Sequence, residues 1–556
     1  MMTPFDELSA RFFSFLRRYF SLNEVAISDV MMVLQDDARK DGFGDFSSNA
    51  AMVLARALGK SPRLIAQEIA AHFSDLAVER LEVAGPGFLN FFLTDACFAQ
   101  EAQRYAANIS SALASSRERY QIRSYSVEFV SANPTGPLHI GHGRGGIIGD
   151  VVGNVLRFLG NTVVKEFYVN DAGKQITTLG MSLMIRCRQV LGEQVELPED
   201  SYHGEYLLQM AREMTSAVPD VVRSALEKND VCYFSEYAYH RLREEQEETL
   251  AEYKIIFDVW FSERTLHASG EVDSSINLLI ERGHTYELEG ALWFKSTAFG
   301  DDKDRVLRRA NGEYTYVAAD VAYMLNKLKR GAEQLIMVLG QDHHSYVVRL
   351  KGILTALGYR PEQLDVILYQ LVTVKEDGEV MRLSKRAGRI VSLKDIIDTV
   401  GPDVARFFYL NRKADAHLDF DLALALRRTD ENPVFYLQYA YVRTGSILER
   451  AQNIAAMAKF SAQDLHSFAA EERLLLRKIF ALKSMLVNIS YNYQAHLLTY
   501  YVLELAQQFH SFYAVCRVIA PEDVEQSKRR LAVVALVRST LGTCLELLGI
   551  STPAAM

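Results

Sequence analysis

The stretch from Ser124 to Val155 constrains this chain more than any other. Residues 125–130 alternate and end in bulky or β-branched side chains, the pattern of a buried strand, and from about Gly145 onward the pattern is that of a helix. Between them lies Ser131-Ala132-Asn133-Pro134-Thr135-Gly136-Pro137-Leu138-His139-Ile140-Gly141-His142-Gly143-Arg144, a long crossing punctuated by glycine and proline. Backbone without side chains comes close to a phosphate, N–H groups at a helix start favour an anion, and His139 and His142 add donors. The expectation is a nucleotide site. A tight turn without ligand fits the same residues, and the spacing is neither that of a dinucleotide fingerprint nor that of a P-loop. Two histidines three apart, lacking cysteine or acidic partners at metal-ligand spacing, argue against zinc.

At 556 residues the chain exceeds one ordinary core, and three or four domains are expected. With 49% hydrophobic and 24% charged residues it is globular in composition. Cys97, Cys187, Cys232, Cys516 and Cys544 have no paired spacing, which points to a reducing compartment rather than to a disulfide or zinc framework. No run of eighteen or more apolar residues is evident, so no membrane span is expected. The basic, aromatic start carries Asp6 and Glu7 and reads as a plain first helix rather than a targeting segment. A net charge of −9 argues against indiscriminate nucleic-acid binding but leaves room for a local gripping surface.

Taken in order, residues 1–112 read as a small α+β module, with helical periodicity at 22–33 and 49–73 and strands at 80–84 and 88–93 around Gly85-Pro86-Gly87. Residues 113–400 are α/β. Candidate strands at 124–130, 163–169, 334–339 and 364–371 predict a doubly wound, Rossmann-like parallel sheet with ligands beyond its carboxyl ends. Asn170-Asp171-Ala172-Gly173 sits at such an end, suited to capping the next helix, and about 190–252 reads as a charged helical insertion. Residues 401–556 read as all helical, with long periodic stretches at 436–450, 471–491, 498–519 and 524–548. Residues 431–556 carry 12 Lys or Arg against 10 Asp or Glu, a small bias toward an anionic partner that ordinary surface charge also explains.

Two further groups could carry chemistry. Residues 378–389 hold four basic side chains and two glycines, and such a loop can follow charge building on a pyrophosphate leaving group; a solvent-facing basic hairpin is the plainer alternative. Tyr316 and Asp320 are four apart on one expected helix face, where a ring beside a carboxylate suits a delocalised cation. Glu263 could supply a second carboxylate, although isolated residues of this kind are more often surface acids.

The first loop followed by Arg382-Leu383-Ser384-Lys385-Arg386 resembles the paired nucleotide motifs of class I aminoacyl-tRNA synthetases, and in detail those of the arginyl-tRNA synthetases. Ser131 to Pro137 before His139-Ile140-Gly141-His142, Asn170-Asp171-Ala172-Gly173, Tyr202-His203-Gly204-Glu205-Tyr206, Phe257-Asp258-Val259-Trp260, Tyr314-Thr315-Tyr316 with Asp320, Gln341-Asp342-His343-His344 and the run from Asn432 to Ala440 all match in one order. Gly44-Asp45-Phe46-Ser47-Ser48-Asn49 extends the likeness to the first domain.

The resemblance implies a tRNA-binding N-terminal module, a class I catalytic domain and a helical anticodon-binding domain. It implies that Ser131, Asn133, Glu263, Tyr316, Asp320 and Gln341 hold L-arginine, and that His139, His142 and Lys385 act on ATP. Pro134, Gly141, Gly143, His343, Leu383 and Ser384 complete the nucleotide site, with Mg2+ accompanying ATP and no structural metal. Arg382 and Leu383 replace the usual lysine and methionine of the second motif, and Arg386 its final serine. Expected partners are tRNA(Arg), arginine and ATP, for a cytoplasmic monomer whose arginine activation requires tRNA. A cysteinyl-type ligase is disfavoured by the lack of a cysteine cluster. A nonenzymatic RNA-binding relative is disfavoured because His139, His142 and Lys385 are all present.

Overall fold

The structure, a computed structural model, describes residues 3–37, 42–107, 122–376, 379–380 and 392–556. The first helix, Pro4–Tyr19, is closed by a reciprocal cap in which Asp6 N donates to Thr3 Oγ1 at 3.2 Å and Thr3 N to Asp6 Oδ2 at 3.3 Å. Helix was expected at 22–33, but the chain there makes only a short 3-10 turn, Val25–Ile27, and a strand, Met32–Leu34. Asn49 explains the difference. Its side chain accepts from Met31 N at 2.7 Å and donates to Asp29 O at 3.2 Å, holding the segment beside the sheet. Residues 49–73 form two helices, Ala50–Leu58 and Pro62–His72, because Gly59 turns left-handed at φ 60°. Strands Val78–Ala84 and Phe88–Leu93 are antiparallel and join Phe46–Ser48 and Met32–Leu34 in a four-stranded sheet.

The central sheet has five parallel strands, in spatial order Leu364–Tyr369, Gln334–Gly340, Ser124–Glu128, Thr162–Val169 and Val259–Ser262. The four expected strands are all present, and the edge strand Val259–Ser262 joins them. Ser124–Glu128 enters first and lies in the middle, so strand order reverses between it and Gln334–Gly340, where ligands of such sheets gather. Helices Glu205–Ala217, Pro219–Glu227 and Val231–Glu252 account for most of the expected insertion. A small antiparallel sheet, Thr285–Leu288, Ala291–Phe294 and Arg305–Arg308, comes next in the chain.

Beyond residue 401 the chain is not wholly helical. Leu418–Asp421 pairs in parallel with Val372–Glu376, with Leu418 and Phe420 buried and Asp419 and Asp421 exposed. An alternation only four residues long is too short to stand out from its helical surroundings. Helices Pro433–Gln452, Ala470–Asn492, His496–Val515 and Val524–Leu548 form the C-terminal bundle. By length and composition Val524–Leu548 could cross a membrane, with a window of mean hydropathy 1.7, but 67% of that window is buried inside the fold.

Candidate active site

The central strand leaves the sheet through two left-handed residues that are not glycine, Val130 at φ 68° and Ser131 at φ 41°. For a β-branched valine this is a strained conformation, held because its surroundings over-determine it. Ser131 N donates to Phe129 O at 3.0 Å, Ser131 Oγ donates to Glu128 at 3.1 Å, and Tyr168 N donates to Ser131 Oγ at 3.1 Å. The insertion clamps the next turn of the loop: Gln246 Nε2 donates to the carbonyls of Asn133 at 3.1 Å and Gly136 at 2.9 Å, and Tyr206 OH to that of Thr135 at 2.6 Å.

The helix expected from Gly145 begins at Ile140, because the histidines cap it. Gly141 N donates to His139 Nδ1 at 3.1 Å, His139 N donates to His142 Nδ1 at 3.2 Å, and the two rings stack with centroids 3.6 Å apart. Burial and the neighbouring His139 pull His142 down to about 3, so its ring is neutral. A neutral imidazole that accepts at Nδ1 carries its proton at Nε2, which is then a donor suited to a phosphate oxygen. Gly143 answers to packing: a Cβ there would lie 2.5 Å from Leu393 Cδ1. Pro134 is buried, while Asn133 and His139 are exposed.

Leu383, Ser384 and Lys385, with Arg382 and Arg386, lie outside the described residues. Their flanks are informative. Glu379–Val380 pairs antiparallel with Val372–Glu376. On the other side Ser392 bridges to His139, and Leu393 N donates to Leu138 O at 2.8 Å. The chain after the second motif thus returns directly beside the first.

Glu263 opens the short helix Glu263–Ala268 just past the edge strand and is 5% exposed. Burial raises its affinity for a proton, against the pull of the Tyr168 hydroxyl and of His267, whose Nε2 is 3.6 Å away. With its amide nitrogen facing inward, Asn170 donates to Glu263 Oε2 and to Ala172 O at 3.2 Å each. Asp320, on helix Tyr316–Lys329, is pushed up to about 7 by burial and by the charges of Glu263 and Glu128, while the Tyr346 hydroxyl and Arg349 pull the other way. Each carboxylate is therefore steadied by one tyrosine. Glu263 is buried and Asp320 half-buried, and two acids near enough to feel each other's charge call for a cation.

Tyr316 is 59% exposed at the head of the Asp320 helix. Gln341 starts the 3-10 turn after Gln334–Gly340 and lines, with Ile148, Lys413 and His496, a cavity of about 460 Å3 facing the C-terminal bundle, to which neither acid contributes. His343 is exposed, 3.8 Å from Asp342. Asp171 does not cap the next helix, whose N-cap is Gly173. It instead accepts from Ser262 Oγ at 2.6 Å, Tyr239 OH at 3.1 Å and Arg264 N at 3.1 Å, three donors that occupy this buried acid in place of the helix end beside it. Sequence reasoning did not single out Tyr168, Tyr346 or Gln246. The available signals were that Tyr168 falls two residues before Asn170 at a strand end and Tyr346 one helical turn after Asp342.

Residues 108–406, more than half of the chain, match the family model for the class I (R) tRNA synthetase catalytic domain. The chain belongs to the arginyl-tRNA synthetase family. Residues 15–93 match the arginyl-tRNA synthetase N-terminal domain and residues 437–556 the DALR anticodon binding domain. Arginine–tRNA ligase 1 of Halalkalibacterium halodurans is 41% identical over 527 residues, covering 94% of both chains. The arginine–tRNA ligase of Syntrophotalea carbinolica is 43% identical over 520 residues, covering 92% of this chain and 93% of its own. The fold matches that of Thermus thermophilus arginyl-tRNA synthetase with a TM-score of 0.71 at 22% identity, covering 96% of this chain and 98% of that one. Glu263, Asp320 and the histidine-capped helix lie within the matched catalytic region of this chain, and the bundle from residue 437 onward lies within the matched anticodon binding region.

Proposed function

We propose that this chain is an arginine–tRNA ligase. It activates L-arginine with ATP to arginyl-adenylate and pyrophosphate, then transfers the arginyl group to the terminal ribose 2′-OH of tRNA(Arg), releasing AMP. The observation that carries the reading is the pair of neighbouring carboxylates, buried Glu263 and half-buried Asp320, at the end of the sheet where the capped histidines also lie. Two acids against one guanidinium recognise arginine by fork geometry and charge, and neutral citrulline would leave them unpaired. Ser131, Asn133, Tyr316 and Gln341 complete the arginine site in this reading.

The arginine carboxylate is already a nucleophile, so the first step needs positioning and electrostatics rather than a general base. It attacks the α-phosphate, a carboxyl oxygen–phosphorus bond forms, and the bond to pyrophosphate breaks. His139 and His142 donate to the phosphate oxygens as charge builds, and Lys385 holds the departing β- and γ-phosphates. Pro134, Gly141, Gly143, His343, Leu383 and Ser384 shape the nucleotide site, with Gly143 acting from behind through packing, and Mg2+ bound with ATP would offset part of its charge. The 2′-OH then attacks the activated carbonyl. The N-terminal module, residues 1–112, and the bundle, residues 401–556, flank the catalytic part, 113–400, and hold tRNA on a cytoplasmic monomer, since the tRNA itself supplies the large intermolecular contact.

Purified protein challenged with labelled amino acids and total tRNA should make arginine alone acid-precipitable. Binding of tRNA with no charging would favour a binding-only protein. Lys385→Ala should slow adenylate formation far more than it weakens tRNA binding.

A further inference from the structure

On helix Tyr316–Lys329, Tyr316, Asp320, Tyr323 and Lys327 follow one another at intervals of four, three and four residues, so all four turn to the same side. The outer half of this stripe holds two residues of the proposed arginine site. The inner half is driven into the central sheet. There Tyr323 and Lys327, both buried, meet Glu128 and Glu166, also buried, which lie side by side in register on adjacent parallel strands. Lys327 Nζ donates to Glu128 and lies 3.9 Å from Glu166, and Tyr323 OH donates to Glu166. Arg330, the C-cap of the helix, reaches Glu166 with Nη1 at 2.6 Å.

Two carboxylates adjacent in a sheet repel, and away from water that repulsion is costly unless a cation stands between them. Lys327 is that cation. Apolar side chains of similar volume often hold a helix on a sheet as firmly, so what the charges add is a single placement of the helix along the strands. The far side of the cluster also leads to the substrate. Glu128 accepts from Ser131 Oγ at 3.1 Å, and Ser131 Oγ accepts from Tyr168 N at 3.1 Å. Tyr168 stands two residues after Glu166 on the same strand face; its ring centroid is 4.4 Å from that of Tyr323, and its hydroxyl donates to Glu263. The element bearing Asp320 is thus joined to the loop bearing Ser131 by two successive bonds, both made to the Glu128 carboxylate.

We propose that Lys327 is a positioning residue that fixes, through Glu128, the span between Ser131 and Asp320, and so makes the enzyme select its amino acid by side-chain length. The inference rests on the proposed arginine site. The loop of Ser131 and Asn133 leads to the histidines and takes the end of the substrate that reacts with ATP, while Asp320 and Glu263 take the guanidinium. Charge and fork geometry at the acids alone accept any guanidino acid that reaches them. Length has to be read between two fixed ends, and Lys327 lies seven residues, about two turns, below Asp320 on one helix. A slide of about 1.5 Å, the rise of one helical residue, is the reach of one more methylene.

The test compares kcat/KM for L-arginine and for L-homoarginine, one methylene longer, in ATP–pyrophosphate exchange by the full chain with arginine-accepting tRNA present. The natural protein should favour arginine by about 50-fold, within the range that one methylene gives in a fitted pocket. Glu128→Gln combined with Lys327→Met removes one charge of each sign and leaves the glutamine an oxygen for Ser131. It should narrow the preference to about fivefold, the loss falling on KM for arginine with kcat kept within about threefold. Tyr323→Phe removes one tie and keeps every charge. It should narrow the preference by less, and it decides the matter if the double variant loses its far-UV circular dichroism. A natural protein that does not discriminate, or a preference undiminished in whichever variants fold, overturns the proposal. So does a loss shared equally by both substrates, which leaves Lys327 a purely structural part. The arginine assignment fails separately, if Asp320→Asn keeps the natural KM for arginine.

Discussion

Glu263 raises the affinity of Asp320 for a proton, although in the proposed arginine site the two acids pair with one guanidinium. With burial as the larger cause, Asp320 is pushed up to about 7, so in the ligand-free protein it is a neutral acid below that pH and a carboxylate above it. In the proposed site arginine pairs with the carboxylate, so its entry should expel the proton. The kcat/KM for arginine should accordingly rise about tenfold between pH 6 and 8 and then level off. A flat profile, or titration calorimetry showing no proton release in buffers of different ionisation enthalpy, would reject this.

The same raised value has a consequence for stability. An acid that holds its proton more tightly folded than unfolded contributes stability below its ordinary value near 3.8, and that contribution is lost as pH rises toward 7. Asp320→Asn should therefore raise the unfolding midpoint of the ligand-free protein at pH 8 while weakening arginine binding by about 100-fold or more. Urea titrations at pH 5 and 8 separate the effects: the gain belongs to the higher pH.

His142 is neutral throughout the working range, so no titration of its ring should appear in the rate of adenylate formation between pH 5 and 8. With tRNA present, His142→Ala should slow arginine-dependent ATP–pyrophosphate exchange by about 100-fold, the scale of one lost donor to a developing charge, with KM for arginine nearly unchanged. An equal rise in KM for arginine would move the histidine into the amino-acid pocket.

Gln246 holds two carbonyls of the first loop from a helix some hundred residues away in sequence. Gln246→Met leaves both acceptors without that donor, at a cost of about 1–3 kcal/mol. The loss should appear as weaker ATP binding by roughly tenfold, measured with a nonhydrolysable analogue, and the fold as a whole should persist.

Gly149 tests the packing of the same helix against the sheet. A Cβ there would stand 2.3 Å from Phe129 Cγ, so Gly149→Ala should destabilise by about 1–3 kcal/mol in chemical denaturation. A neutral substitution would mean that the helix can slide on its strand.

Much of this was legible in the residues. The strand Ser124–Glu128 and the loop behind it stand out because a strict alternation runs into glycine and proline, and Tyr316 and Asp320 announce themselves by helical spacing. What the chain conceals is nonlocal. The early start of the helix at Ile140 depends on two imidazoles capping it, a role seldom taken by histidine. Tyr168, Tyr346 and Gln246 become important only through partners on other elements, and Asp171 serves Ser262, Tyr239 and Arg264 rather than the helix beside it. The excursion at Leu418–Asp421 is four residues of strand whose partner lies 46 positions back in the register Val372↔Leu418.

The middle place of Ser124–Glu128 in the sheet has a bearing on biosynthesis. One neighbour, Thr162–Val169, leaves the ribosome soon after it, but the other, Gln334–Gly340, emerges only some two hundred residues later. Throughout that interval the nascent polypeptide carries an open strand edge in what will become its most water-excluded layer, the kind of surface that invites wrong pairing. Translation speed across residues 170–340 and chaperone supply should therefore govern the yield of native enzyme more strongly than changes of equal size near either terminus.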